Sequence, residues 1–294
     1  MRHRPARRRR HRPRRDLLLS LSSSDYPRFG ELVEKLSAEF APKGVSISLP
    51  SLRVDSQLEI IPRLTSRVRK GGLTIAAEAG SERLRRAIRK DITDEAMLAG
   101  VTAAWEAGFR SVKIYFLAGL PGETDADVDA IADLCRRLSD TRRAVDGHRG
   151  AINAAVSWLV PRPHTPMQWS AQAPAEYFWS VRRRLRDAAR RSPVTFRFHR
   201  IERSRLEAAI ARGDRTLAAA IEAAWRAGAR FDGWDEHFEW GKWQAAFDAA
   251  GVDPAFHASR ERPADERLPW DHIDSGRPRA LLLTERDKML AEVR

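Results

Sequence analysis

Short apolar runs alternate with amphipathic helical stretches along most of this chain, and this alternation restricts the fold more than any other feature. The apolar runs predict five strands, at residues 17–21, 45–49, 73–77, 111–117 and 151–160. Between them, apolar residues recur three and four positions apart, as they do in helices that bury one side. Repeated strand–helix units favour a parallel sheet covered by helices, so the predicted fold class is α/β.

Several helix starts carry capping signals. Ser81 and Thr93 each precede a helical stretch and can accept a hydrogen bond from its first turn. Ser56 and Glu59 are spaced as a capping box, which predicts a further helix. A later helix carries an apolar stripe formed by Val128, Ile131, Cys135 and Leu138. Cys135 is therefore predicted to be a core residue and not a nucleophile.

Composition divides the chain into three predicted segments. Residues 1–16 form an arginine-rich arm, residues 17–195 carry the strand–helix units, and residues 196–294 predict a mainly helical, tryptophan-rich appendage. The first 15 residues contain nine arginines and no acid, so most of the net charge of +13 lies in the arm. Because the arm has almost no apolar residue to anchor it, it is predicted to be disordered.

The arm also leaves an alternative function open. A run of arginines can bind phosphate backbones and release their counterions. A nucleic-acid-binding protein that uses residues 1–15 is therefore the second hypothesis.

Other function classes lack support in the sequence. No stretch approaches the roughly 20 apolar residues that a membrane span needs, so no membrane contact and a cytoplasmic location are expected. Three histidines of the appendage could be considered as a metal site: His237, His257 and His272. Their spacing fits no compact ligand motif, so surface or packing roles are expected and no metal site is assigned.

Loops that follow the predicted strands carry the candidate binding residues. In parallel sheets and barrels, binding groups gather at the carboxyl ends of the strands. The polar side chains in these loops include Asp25, Arg53, Glu78 and Glu123. Glu78 directly follows an apolar strand and precedes Gly80, which places its carboxylate at the sheet edge. The structural alternative is that Glu78 is a helix-cap partner of Ser81 or Arg85.

The turn after the strand at 111–117 has the sequence Gly119-Leu120-Pro121-Gly122-Glu123-Thr124. Glycines let the backbone approach a ligand closely, and proline fixes the bend. A carboxylate at the start of the next helix can accept hydrogen bonds from hydroxyl or amine groups. A plain strand-to-helix turn explains the same residues, so both interpretations stay open.

Taken in order and spacing, four segments resemble the later strands of the radical S-adenosylmethionine (SAM) core. They are SLSSSDY at 20–26, SLPSLRVDS at 48–56, AAEAGSERLR at 76–85 and AGLPGET at 118–124. The chain is most similar to a branch whose members usually carry a cobalamin-binding-like domain ahead of this core. Similarity to that branch continues through ARGDR at 211–215, RFDGW at 230–234 and LPWDHID at 268–274.

This resemblance implies a fold and two cofactors. The fold is an incomplete (β/α)6 partial barrel of the radical SAM type with a C-terminal mainly helical appendage. In this superfamily a [4Fe–4S] cluster, held by three cysteines in a C-x-x-x-C-x-x-C loop, reductively cleaves SAM to a 5′-deoxyadenosyl radical. Cobalamin is a further cofactor of full-length relatives. The small-molecule partner implied for this chain is SAM, while the substrate and product are not implied.

The resemblance also assigns site residues by position. Ser23, Ser24 and Asp25 fall in the loop that meets the methionine amine of SAM, and Arg53 is the candidate contact to its carboxylate. Glu78 faces the ribose or the amine. The border of the adenosyl site is assigned to Gly119, Pro121, Gly122 and Glu123.

The chain departs from the family at the cluster. It contains one cysteine, Cys135, where the cluster needs three, and the cysteine loop is absent. The chain is therefore expected to be an N-terminally truncated or inactive form, and its catalytic residues are unknown. A third hypothesis is a cluster-free remnant that binds at most SAM or a partner protein.

Overall fold

The computed structural model of the protein describes residues 15–17, 26–43, 46–48, 72–190 and 192–294. Part of the first predicted strand and the helix predicted after Ser56 lie outside the described residues. Four candidate site residues also lie outside them: Ser23, Ser24, Asp25 and Arg53.

Four parallel strands form the main sheet, in the same order as in the chain. They are β3 (Gly72–Glu78), β4 (Ser111–Ala118), β5 (Ala151–Trp158) and β6 (Val194–Phe198). The first three confirm predicted strands. Strand β6 was not predicted, and it spans the position where the predicted core ends at residue 195. This sheet confirms the α/β class and is consistent with a partial radical SAM barrel.

A second, two-stranded sheet pairs β1 (Arg15–Leu17) with β2 (Ser46–Ser48) in parallel. Asp16 lies opposite Ile47 in this pair. Strand β1 begins at Arg15, so the last two residues of the predicted arm lie in a strand.

The helices include the predicted amphipathic stretches that lie within the described residues. Their bounds are α1 Phe29–Phe40, α2 Glu82–Ala87, α3 Asp94–Glu106, α4 Asp125–Asp140, α5 Arg143–Asp146, α6 Ala175–Ala188, α7 Ile201–Arg212, α8 Leu217–Arg226, α9 Trp240–Ala250, α10 Pro254–Ala258 and α11 Arg279–Glu292. Short 3-10 turns cover Ala41–Lys43 and Pro166–Trp169. The predicted caps are present, since Ser81 accepts from the N–H of Leu84 and Thr93 accepts from that of Ala96.

The core lies between one face of the main sheet and helices α3, α4 and α6. From the sheet it takes alternate residues, such as Ile75, Ile114 and Ala154, which are at most 2% exposed. Cys135 on α4 is fully buried in this core, which confirms its predicted packing role. Strands of a parallel sheet expose alternate residues on opposite faces, so the second face carries the remaining positions.

Residues after β6 pack as a helical unit. Helices α7, α8 and α9 share an apolar cluster that includes Leu206, Ala220 and Phe247. Helix α11 returns to the main sheet's loops, where Leu282 packs against Trp169. In the part of the chain that the structure describes, no helix has the length and apolar character needed to cross a membrane.

Candidate functional site at the carboxyl edge of the sheet

The ends of β3 and β4 place several predicted site residues at one edge of the sheet. Strand β3 ends with Glu78, which lies opposite Phe116 of β4. Strand β4 ends at Ala118, two residues after Phe116, and the turn 119–123 follows it. The structure therefore brings Glu78 and this turn to neighbouring strand ends.

Glu78 has an unusual backbone conformation. Its φ is 67°, in the left-handed region that residues with a Cβ rarely adopt. The N–H of Ala79 donates to the carbonyl of Ala77 at 2.9 Å, which closes a three-residue turn around Glu78. A turn of this hand is rare and strained. The pairing with β4 also shifts register between Ala76 and Glu78, and such bulges redirect side chains near binding sites.

The carboxylate of Glu78 is accessible. Its side chain is 37% exposed, and its Oε1 lies 3.6 Å from the Nζ of Lys90. Such a long contact between partly exposed groups contributes little to stability, on the order of a few tenths of a kcal/mol. The carboxylate is therefore available to a ligand.

Ser81 and Arg85, the two residues considered as cap partners of Glu78, form hydrogen bonds with other groups. Ser81 donates to Oδ1 of Asp127 at 2.5 Å and caps α2. Arg85 is fully buried and donates to the carbonyls of Ala79 at 3.1 Å and Gly80 at 2.9 Å. Arg85 therefore fixes the backbone that follows Glu78. The sequence did not assign it this role, because three arginines stand close together in α2 and only the fold shows which one is buried.

Glu123, the carboxylate of the second strand end, is enclosed by the protein. Its Oε2 accepts from the N–H of Gly119 and from the hydroxyl of Tyr177, both at 2.6 Å. Burial raises the pKa of Glu123, against the hydrogen bonds from Tyr177 and Gly119, which lower it. Burial and the adjacent Glu123 also raise the pKa of Tyr177, so its hydroxyl stays a donor. The observed contacts of Glu123 are thus internal, and its predicted contact with the adenosyl group is untested.

The glycines of the turn are required by close packing. Gly119 has φ 91°, and a Cβ there would lie 2.7 Å from Cε1 of Phe178. Gly122 has φ 73°, and a Cβ there would lie 2.5 Å from Cγ2 of Val293. Pro121 between them is partly exposed. Both glycines are therefore explained by contacts within the chain, as the plain-turn interpretation requires.

Arg83 joins this turn to the C-terminal residues. It donates to the carbonyl of Gly122 at 3.0 Å and to that of Val293 at 2.8 Å. Val293 packs in the apolar cluster that Leu84 and Leu120 form at the same edge. The 119–123 turn is thus fixed to the C-terminal residues, whereas the carboxylate of Glu78 has only the long contact with Lys90.

Asp127 links the two strand ends and was missed by the sequence analysis. It is 5% exposed and accepts from the Oγ of Ser81, from both the N–H and Oγ1 of Thr124, and from Nη2 of Arg83. Burial alone would raise the pKa of Asp127, but these hydrogen bonds lower it. The signal was present, because Thr124 and Asp127 have capping-box spacing and form that box.

The residues present do not fit an iron–sulfur cluster. Cys135 is the single cysteine of the sequence, it is fully buried on α4, and burial raises the pKa of its thiol far above the ordinary value. A cluster is held by several cysteine thiolates, and one cysteine cannot supply them. Within the described ranges, no group of three or more His, Cys, Asp or Glu is positioned to hold a metal ion.

The three histidines considered as metal ligands lie apart from this edge. His237 and His272 are exposed, and His257 is buried in α10, where its ring contacts that of Phe256. These environments agree with the surface and packing roles that the sequence suggested.

Comparisons with known proteins show which family part of the chain resembles. Residues 7–135 match the family model described as the Radical SAM superfamily. This match confirms the predicted family for residues 7–135, which are less than half of the chain, and it begins inside the predicted arm. The cobalamin-associated branch and the truncation stay predictions.

A relative is found in Methanocaldococcus jannaschii. The chain is 29% identical over 208 residues to an uncharacterized protein of that organism, which covers 70% of this chain and 43% of the relative. The chain therefore spans less than half the length of this relative.

Proposed function

Because residues 7–135 belong to the radical SAM superfamily, we propose that this chain binds S-adenosylmethionine at the carboxyl edge of β3 and β4. In this proposal Glu78 accepts hydrogen bonds from the ribose hydroxyls or the methionine amine. The observation that carries the proposal is the strained, half-exposed conformation of Glu78 at the end of β3.

Strain of this kind supports a functional role. A residue with a Cβ in the left-handed region costs roughly 1 kcal/mol or more, and such residues concentrate at ligand sites. The buried guanidinium of Arg85 holds the following backbone, so the chain stabilises this conformation instead of relaxing it. A carboxylate accepts from hydroxyl and ammonium groups, and SAM presents both.

The remaining assigned residues extend the proposed site. Ser23, Ser24 and Asp25 would meet the methionine amine, and Arg53 its carboxylate. The turn formed by Gly119, Pro121, Gly122 and Glu123 would border the adenosyl group through its backbone. Glu123 then supports the turn from inside, as its bonds to Gly119 and Tyr177 indicate.

The proposed activity of this chain is the binding of SAM and not its cleavage. When a [4Fe–4S] cluster is present in this superfamily, it supplies the electron that cleaves SAM. The 294 residues contain one cysteine, and that thiol is buried. These residues alone are therefore proposed to bind SAM without cleaving it, and cluster ligands for the reaction would have to come from outside them. Nucleic-acid binding through residues 1–15 stays an untested alternative.

The test is a SAM titration of the 294-residue chain by isothermal calorimetry. Glu78→Gln keeps the size of the side chain but removes its charge, and we expect it to weaken binding at least tenfold, about 1.4 kcal/mol. Glu106→Gln removes an exposed carboxylate from α3 and should leave the affinity unchanged.

Two outcomes would contradict the proposal. The first is that the unchanged chain, shown to be folded by cooperative unfolding in urea, does not bind SAM saturably. The second is equal affinity for SAM in the Glu78→Gln and Glu106→Gln variants.

A further inference from the structure

The face of the main sheet that does not pack on helices α3, α4 and α6 carries exposed cations. Lys113 on β4 and Arg197 on β6 are exposed, whereas the strand neighbours of Lys113, Val112 and Ile114, are buried in the core. The register places Lys113 beside Asn153 of β5, and Asn153 beside Thr195 of β6.

The next row of the same face holds Tyr115, Ala155 and Arg197. The five polar residues of these two rows form what we call the cationic face: Lys113, Tyr115, Asn153, Thr195 and Arg197. Strands of a parallel sheet are usually apolar on both faces because both are covered. A polar face on such strands is typical of a surface that meets water or a polar ligand.

The charge of this face is not balanced by the surrounding described residues. In the described ranges, neither Lys113 nor Arg197 forms a side-chain ion pair or hydrogen bond. The Nζ of Lys113 lies 4.7 Å from the centroid of the Tyr115 ring, a contact that orders the ammonium group without neutralising it. By contrast, the exposed Arg184 on α6 is paired with both Asp125 and Asp129.

One structural explanation covers only part of this face. Strand β6 is at the edge of the four-stranded sheet, and charged residues on edge strands prevent pairing with other chains. That explanation suits Arg197. It does not suit Lys113, because β4 has a hydrogen-bonded strand on each side.

We infer that the cationic face binds a small-molecule substrate that carries an oxyanion, either a phosphate or a carboxylate. This inference rests on the proposed function, since it places a substrate on one face of the sheet whose β3 and β4 ends are proposed to hold SAM. Strands β4 and β6 are two strand spacings apart, about 10 Å. Long lysine and arginine side chains span this distance, so both cations reach one small molecule. The planar fork of Arg197 suits bidentate contact with an oxyanion, and Lys113 adds a point charge.

The experiment follows backbone amides of the full chain by NMR during titration with inorganic phosphate and, separately, with succinate. Sodium chloride at matched ionic strength corrects for screening. We expect saturable shifts of amides in β4, β5 and β6. Lys113→Gln and Arg197→Gln should each weaken binding at least fivefold, whereas Lys113→Arg, which keeps the charge, should retain it. Arg183→Gln on α6 removes a cation outside the cationic face and should change nothing.

The two probes distinguish the source of the oxyanion. Saturation with phosphate alone identifies a phosphorylated substrate, and saturation with succinate alone identifies a carboxylic acid. Lack of saturable shifts on these strands with either probe would overturn the inference. Equal affinities of Lys113→Gln, Arg197→Gln and Arg183→Gln would overturn it as well.

A SAM titration of the same variants separates this inference from the proposed function. Lys113→Gln and Arg197→Gln should bind SAM as the unchanged chain does, because Glu78 lies at the strand end. Loss of SAM binding only in Glu78→Gln, together with loss of oxyanion binding only in the cationic-face variants, supports both. Oxyanion binding by a chain that does not bind SAM would overturn the proposed function and leave the cationic face as an independent site.

Discussion

At the end of β3, Glu78 is held in a strained turn with its carboxylate half exposed, while at the end of β4 Glu123 is enclosed by two hydrogen bonds. Both carboxylates lie on neighbouring strand ends of one parallel sheet, and sequence position alone gave them similar roles. The difference lies in their partners. The open strand end, that of β3, holds Glu78 in a strained conformation with an accessible charge. The closed strand end, that of β4, pairs the carboxylate of Glu123 with groups of the same chain. This contrast indicates binding at β3 and structural support at β4.

The largest effect is expected where the two strand ends are joined. Asp127→Ala removes the acceptor shared by Ser81, Thr124 and Arg83. Because it leaves three donors that are only partly buried, including one charge, without their shared acceptor, the free energy of unfolding should fall by about 2–4 kcal/mol. Urea denaturation measures this change. Asp133→Ala on the same helix removes an exposed carboxylate and should change stability by less than about 0.5 kcal/mol; equal losses in the two variants would show that Asp127 does not join the strand ends.

The closed turn after β4 gives the second effect. Gly119→Ala places a methyl group 2.7 Å from the ring of Phe178 at φ 91°, and we expect a loss of about 2–3 kcal/mol. Gly147→Ala is its control, because Gly147 has φ 79° but nothing within 4 Å of its added Cβ. That variant should lose only about 1 kcal/mol, from backbone strain. If both variants lose the same amount in urea denaturation, packing against Phe178 does not explain the glycine.

At the open strand end, replacement of Glu78 by glycine should increase stability instead of lowering it. Glu78→Gly removes the Cβ that makes φ 67° unfavourable, so the free energy of unfolding should rise by about 0.5–1 kcal/mol while SAM binding is lost. Arg89→Gly relieves similar strain at φ 58° and should gain stability without changing SAM affinity. Urea denaturation and calorimetry measure the two quantities. A Glu78→Gly variant that loses stability, or one that keeps its SAM affinity, would contradict the functional origin of the strain.

The parts of the fold that could be predicted from the sequence are those with a clear local pattern of apolar residues. Strands β3, β4 and β5 are mostly apolar runs bounded by turn residues, and the capping residues Ser81 and Thr93 were visible beside their helices. Strand β6 was missed because it is five residues long and alternates apolar side chains with Thr195 and Arg197. Such a pattern belongs to an edge strand covered on one face, and only its pairing with β5 reveals it.

The candidate site was predictable only in part, for a different reason. The position of Glu78 after a strand located it at the sheet edge, but glutamate carries no sequence signal for a left-handed conformation. The closure of Glu123 depends on Tyr177, which lies 54 positions away in the sequence. The burial of Arg85 likewise depends on the path of the loop around it. Contacts between distant residues decide these roles, and local patterns do not report them.

The smallest expected effect concerns the pH dependence of the closed strand end. Burial raises the pKa of Glu123 above its unfolded value, so its protonated form stabilises the folded state at low pH, and this contribution is lost as pH rises through the raised pKa. Glu123→Gln stays neutral and keeps one acceptor oxygen, so its stability relative to the unchanged chain should improve as the pH rises from 4 to 7. Urea denaturation across this pH range measures the difference, and Glu106→Gln should instead run parallel to the unchanged chain. If the relative stability of Glu123→Gln falls with rising pH, the ionised carboxylate is favoured in the fold, and the end of β4 holds a charge as the end of β3 does.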